Sequence, residues 1–264
     1  MIAVMACMGW PSCLLAGGIE DIKKGVVKIT AQADGKTKTG TGFIVRLGKE
    51  TAFIITASHV VEGDPEPKVV FRLNDTKVFP SHIKGIEWED LRGLAALVVQ
   101  GRLPEGLETL PLNQEFNVTG GEEGIVIGLP LVPAVPWAVT SSVMTGQHGK
   151  YLVFSGAAVE GNSGGPIMVA GKVVGVVTNV SGQYGYAVPV PIMRLALRGW
   201  GVPLGRLPLE EKPPNLMMGR AMQTLMPQWL QSTTPILTRS KRLPSEATQG
   251  RCSSSARCIP TVRL

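Results

Sequence analysis

Gly161-Asn162-Ser163-Gly164-Gly165-Pro166 stands between two runs of strand-forming residues, Tyr151-Leu152-Val153-Phe154 and Ile167-Met168-Val169. Glycines on both sides of the serine permit a tight turn, because a residue without Cβ takes backbone angles closed to others. Clusters of Gly, Asn and Ser also make ordinary hairpin turns, so the setting decides the reading. Outward from the hexapeptide the chain repeats one theme: Val26-Val27-Lys28-Ile29-Thr30, Gly42-Phe43-Ile44-Val45, Ala52-Phe53-Ile54-Ile55-Thr56, Leu94 to Val99, Gly124 to Gly128, Ala138 to Val143, Lys172 to Thr178 and Tyr186-Ala187-Val188. Many short β-branched runs punctuated by Gly, Pro and Asn/Asp imply an all-β barrel or sandwich. The Pro- and Gly-rich stretch from Leu129 to Pro136 reads as the divide between two comparable halves, which suits two small barrels with a cleft between them. Pro191 to Arg198 reads as a short helix opened by proline and closed near Gly199 and Gly201.

A serine hydroxyl is a poor nucleophile unless a base takes its proton during attack, and the oxyanion that forms needs donors already in place. The hexapeptide can supply the exposed Ser163 hydroxyl and the amide N–H groups of Gly161 and Ser163. A base is at hand in sequence terms at His59. It follows the apolar run Ala52 to Thr56 and precedes Val60-Val61-Glu62-Gly63, the junction of a strand with a helical turn at a barrel rim. A neutral imidazole there would accept the Ser163 proton. His82 and His148 have no such company and read as ordinary surface or core residues.

Four ordered motifs over roughly residues 25–200 carry a family resemblance: Gly40-Thr41-Gly42-Phe43-Ile44-Val45, Thr56-Ala57-Ser58-His59-Val60-Val61, Gly161-Asn162-Ser163-Gly164-Gly165-Pro166 and Gly185-Tyr186-Ala187-Val188-Pro189. Together they resemble the bacterial trypsin-like peptidases related to the HtrA/Deg group. The resemblance implies an all-β, chymotrypsin-like double β-barrel with the active site in the interbarrel cleft, and serine endopeptidase activity without a cofactor. It also implies that Ala157, Ala158 and Val159 before the serine, and Val176 and Thr178 after it, wall the first specificity pocket. These residues are small and uncharged, which favours small or medium apolar P1 side chains.

The chain departs from the family pattern at the acid that holds the imidazole tautomer. The family carries Asp before Leu/Ile-Ala-x-Leu; here Leu94-Ala95-Ala96-Leu97 is preceded by Gly93, and the nearest aspartate is Asp90. Either Asp90 reaches His59 through a rearranged loop, or Ser163 and His59 work as a pair and Asp90 is a solvated loop charge. A chain without the acid would be a weak peptidase, or a pseudopeptidase that keeps the cleft to bind peptides. The C-terminal region is not expected to form a second globular domain like the peptide-binding PDZ modules many of these relatives carry. Asn162 replaces the aspartate with which digestive relatives bind a newly exposed N-terminus, so activation by that route is not expected.

The formal charge of +6 divides unevenly. Residues 1–200 hold 17 Lys+Arg against 17 Asp+Glu, and residues 201–264 hold 9 against 3. The excess thus lies in the tail, where Trp229 is the only aromatic and nothing provides a stacking platform, so nucleic acid is not an expected partner. The tail over 204–264 is basic and Pro/Ser-rich and is expected to be largely irregular, with helical periodicity only from Asn215 to Met226. Residues 1–19 lack charge and run apolar from Ile2 into Ala16-Gly17-Gly18, which reads as a signal peptide and points to a periplasmic or secreted protein, although no Lys or Arg precedes Lys23. Broken by Pro11, the same stretch falls short of the ~20 residues that span a bilayer. The peptidase domain is then expected over 20–203. Cys252 and Cys258 could form a local disulfide, and no Cys or His has zinc spacing, so no metal is expected.

Overall fold

The computed structural model describes residues 16–87, 93–115, 117–131, 134–156 and 159–204. The chain divides into two compact units, Met1–Leu207 and Pro208–Leu264, and every described residue belongs to the first. Asp90, Ala157, Ala158, the Asn215–Met226 segment, Trp229, Cys252 and Cys258 lie outside the described residues.

After a helix α1 (Ala16–Lys23), the first half contains β1 (Val26–Ala33), β2 (Lys36–Leu47), β3 (Thr51–Ala57), a single helical turn α2 (Ser58–Val61), β4 (Lys68–Phe71), β5 (Asn74–Pro80), β6 (His82–Ile86) and β7 (Leu94–Gln100). In β1, Val27, Ile29, Ala31 and Ala33 are buried while Lys28, Thr30 and Gln32 are not. This is the period of two that a strand imposes. Asp34 and Gly35, with φ of 51° and 72°, close the β1–β2 hairpin. Positive φ at both central residues is what a two-residue turn matching strand twist needs. The seven strands pair antiparallel in the order β5-β4-β1-β2-β3-β7-β6. Ile29, Ile44, Ile54, Val69, Phe79, Leu97 and the partly buried Ile83 meet in one apolar core, so the sheet wraps around its own interior.

The second half holds β8 (Glu123–Gly128), β9 (Ala138–His148), β10 (Tyr151–Ser155), β11 (Pro166–Val169), β12 (Lys172–Ser181) and β13 (Tyr184–Pro189), followed by helix α3 (Val190–Gly199). These strands close into a six-stranded barrel in the order β10-β13-β12-β11-β8-β9. The architecture is the expected all-β double barrel. Its boundary is not where the sequence reading put it. Leu129 to Pro136 joins β8 to β9, which are neighbours inside the second barrel, and the crossing between barrels is the segment 101–122. Proline density marks a long irregular loop wherever one occurs, and it carries no information on which side of a barrel the loop falls.

A third group of side chains joins the halves. Val26, Phe43, Ile55 and Leu94 from the first meet Ile127, Met168, Val176 and Val188 from the second, and Met193 and Leu197 of α3 close over them. Trp137, just before β9, donates its indole N–H to the Val26 carbonyl at 2.9 Å across the same boundary. Ala16-Gly17-Gly18, which the sequence reading places at the end of a signal peptide, are the first residues of α1. Ile22 of α1 packs on the interbarrel core, and Glu20 pairs with Arg72 at 2.5 Å.

Candidate active site

His59 sits where β3 turns into α2. Ala57 is still extended, with φ −80° and ψ 144°, and the turn closes through the Glu62 N–H to the Ser58 carbonyl at 3.0 Å. Val60 and Val61 are buried in the first barrel, and Ser58 is buried with its N–H on the Gly93 carbonyl at 2.9 Å. The backbone on both sides of His59 is therefore fixed while its side chain is only half-buried. An accessible imidazole on an immobile backbone suits a base.

The serine turn is built on two residues that must be glycine. Gly161 has φ +93° and Gly164 has φ +84°. A Cβ on the first would run into the Leu129 carbonyl, and one on the second into the Thr41 carbonyl and the Thr56 hydroxyl. Its peptide planes are held from behind: the Leu131 N–H donates to the Glu160 carbonyl at 3.0 Å, and the Gly165 N–H to the Asn162 carbonyl at 2.9 Å. In a trans peptide the N–H points opposite the C=O. Pinning those two carbonyls thus turns the N–H groups of Gly161 and Ser163 the other way, and among the described residues neither has an acceptor. Ser163 itself is half-buried, between buried neighbours.

The turn is also stitched to both barrels. On its own side, the Gly164 N–H donates to the Val177 carbonyl at 2.6 Å and the Val177 N–H to the Gly165 carbonyl at 2.9 Å. On the other, the Thr41 N–H donates to the Ser163 carbonyl at 2.9 Å and the Thr41 hydroxyl to the Gly161 carbonyl at 2.7 Å. A Cβ placed on Gly164 would lie 3.0 Å from the Ala57 nitrogen, two residues before His59. The fold thus brings the Ser163 turn to the strand end that carries His59.

Where the family has its acid, the chain is bare. Gly93 is buried immediately before β7, and its carbonyl is occupied by Ser58. The described carboxylate beside it is Glu87, which accepts the Leu94 N–H at 2.8 Å while its own N–H donates to the Leu94 carbonyl at 2.9 Å. Asp90 lies outside the described residues. So do Ala157 and Ala158 of the expected pocket. Val159 is half-buried, and its carbonyl accepts the Asn162 N–H at 3.3 Å. Val176 is wholly enclosed in the interbarrel core, so it packs the barrel and has no surface to offer a substrate. Thr178 is 1% exposed, with no hydrogen-bond partner for its hydroxyl among the described residues.

His82 and His148 are exposed, on β6 and at the end of β9. Among the described residues no group of three or more His, Cys, Asp or Glu could hold a metal ion, and no helix is long and apolar enough to cross a membrane. The sequence reading gives Thr41 no role of its own. Its position between Gly40 and Gly42 was the available signal, since glycines flanking a residue in a strand mark close backbone approach.

The trypsin-like peptidase domain family matches residues 40–176, just over half of the chain. The mitochondrial serine protease HTRA2 of Drosophila erecta is 28% identical over 227 residues, covering 80% of this chain and 51% of the relative. That of Drosophila grimshawi is 26% identical with 80% and 50% covered. The chain spans about half the length of the curated relatives it matches. Among solved structures, the serine endoprotease from Yersinia pestis superposes with a TM-score of 0.57 at 20% identity, covering 69% of this chain and 65% of that one, which shows the shared fold. With its double barrel, its glycine-bracketed serine and the match over residues 40–176, the chain belongs to the trypsin-like peptidase domain family.

Proposed function

We propose that the protein is a serine endopeptidase that cleaves peptide bonds through an acyl-enzyme. The Ser163 hydroxyl attacks the scissile carbonyl as neutral His59 takes its proton, and the N–H groups of Gly161 and Ser163 hold the oxyanion. The tetrahedral adduct collapses, His59 returns the proton to the departing amine, and water repeats the sequence to free Ser163. The observation that carries this reading is the pair of pinned carbonyls, Glu160 on Leu131 and Asn162 on Gly165, which keeps both donor N–H groups turned out before substrate arrives. Preorganisation of this kind is the largest single contribution to such catalysis.

Asp90 is assigned the role of orienting acid, three residues from the bare position at Gly93. Substrates are proteins or peptides with small or medium apolar P1 residues, from the small residues Ala157, Ala158 and Val159 before the serine; a library profile cut only after Lys or Arg would sink that specificity. The action is placed in the periplasm or outside the cell, on the apolar stretch of residues 1–19; tracking a tagged full-length chain by cell fractionation tests it, and retention in the cytoplasm argues against it.

The deciding experiment is labelling of the folded protein with a fluorophosphonate probe. The expected result is labelling of the natural chain, none of Ser163→Ala, and labelling slowed by up to about 10⁴-fold in Asp90→Asn, the loss a triad shows without its carboxylate. Gly93 supports a second reading, a cleft retained for peptide binding alone. A folded natural chain that takes no label but binds peptides would favour it over the first.

A further inference from the structure

Thr41 lies on β2 of the first barrel, yet it holds both ends of the Gly161–Ser163 segment in the second. Its N–H donates to the Ser163 carbonyl at 2.9 Å, and its hydroxyl donates to the Gly161 carbonyl at 2.7 Å while accepting the Leu129 N–H at 3.1 Å. Its own carbonyl accepts the Thr56 hydroxyl at 2.7 Å, on β3, which ends two residues before His59. Thr41 and Thr56 have no exposed surface, so water cannot replace any of these partners.

A carbonyl fixed on the Gly161 side sets the ψ of a residue that, as a glycine at φ +93°, has no side chain to restrain it. Gly161 joins the peptide that carries its own donor N–H to the peptide whose carbonyl Thr41 holds, so this bond restrains the torsions between them and backs the Leu131 contact on the other side. Gly128 shows how closely the space is drawn, since a Cβ there would stand 3.1 Å from the Thr41 hydroxyl and would collide with the Asn162 amide.

We propose that Thr41 is a positioning residue for the oxyanion donors: its hydroxyl fixes Gly161 across the barrel boundary, while its backbone carbonyl, on the Thr56 hydroxyl, ties it to β3, which leads into the turn with His59. The inference rests on the reading of Ser163 as nucleophile.

The test compares Thr41→Val, which keeps the shape and removes the hydroxyl, with Thr41→Ser, which keeps the hydroxyl, and Thr41→Cys, a weak donor. With folding checked by thermal melts, Thr41→Val should lose about 10²-fold in kcat, on the scale of removing one oxyanion donor, with KM within about threefold. Affinity for a peptide boronate, whose tetrahedral adduct fills the same hole, should fall in parallel. Thr41→Ser should recover most of the rate. Should Thr41→Val fail to fold, Thr41→Cys carries the test, with kcat lowered about tenfold or more and KM unchanged. A folded Thr41→Val, or Cys in its place, with natural kcat overturns the proposal, as does Thr41→Ser as impaired as Thr41→Val. A natural chain that takes no fluorophosphonate label overturns the Ser163 reading and this one with it; a labelled chain indifferent to Thr41 overturns only this one.

Discussion

At Gly164 two separate restraints forbid a side chain: the backbone φ of +84°, and the Thr41 carbonyl and Thr56 hydroxyl that crowd the place of a Cβ. Left-handed strain alone is worth about 1–3 kcal/mol, and neither neighbour is the loose end of a flexible chain. Gly164→Ala is expected to lower stability by at least about 2 kcal/mol in urea unfolding and to remove fluorophosphonate labelling even where the protein stays folded. An unchanged midpoint would show that the turn can relax. Residues of this kind are legible from their setting, because a glycine-bracketed serine between two strand runs with His59 upstream is more than a hairpin turn needs. The contribution of Thr41 is not, because its partner Gly161 is 120 residues away, and a hydroxyl in a strand looks alike whether it faces solvent or another barrel. Val176 shows the converse: small and near the serine in sequence, it belongs to the packed core.

Among the elements, the connection into the second barrel contains a turn organised by one carboxylate. Glu122 accepts the Thr119 hydroxyl at 2.6 Å, the Thr119 N–H at 2.7 Å and the Gly120 N–H at 2.9 Å. These bonds, the Thr119 hydroxyl foremost, lower its pKa from 4.5 to about 2. Because the folded value lies below the unfolded one, the stabilisation is fully present above pH 4.5 and is lost as pH falls towards 2. Glu122→Gln should therefore be less stable than the natural chain at pH 6, with the gap in urea midpoint narrowing below pH 4.5. A gap that stays constant with pH would refute the assignment. The strands read from sequence were those with buried β-branched alternation, as in β1. Strands β4, β5 and β6 carry a weaker signal: β4 has only the three apolar residues Val69 to Phe71, Lys84 and Gly85 break β6, and β5 is polar and buries only Phe79. The barrel boundary was misplaced for a related reason: which strands pair is a long-range property, and loop composition records only that a loop exists.

For the molecule as a whole, the interbarrel core makes the two barrels one cooperative body. Phe43 is fully buried there among residues from both halves. Phe43→Ala should cost about 3–5 kcal/mol, and loss of secondary structure and of tryptophan fluorescence should stay coincident in urea. Separate transitions for the two signals would mean that the barrels are energetically independent. The apolar side chains shared by the two halves, with the Trp137 and Thr41 hydrogen bonds across the boundary, hold them together.

The stitching of the serine turn to β2 has a practical corollary. On the proposed reading, one barrel contributes Ser163 and its amide donors, and the other contributes His59 and the Thr41 hydroxyl bonded to the Gly161 carbonyl. On that reading neither half carries a competent site alone. A chain severed in the exposed stretch at Gly101 and Arg102 and supplied as two fragments would regain covalent labelling only as the fragments reunite. Its chemistry would then serve as a reporter of association, silent until the two pieces meet.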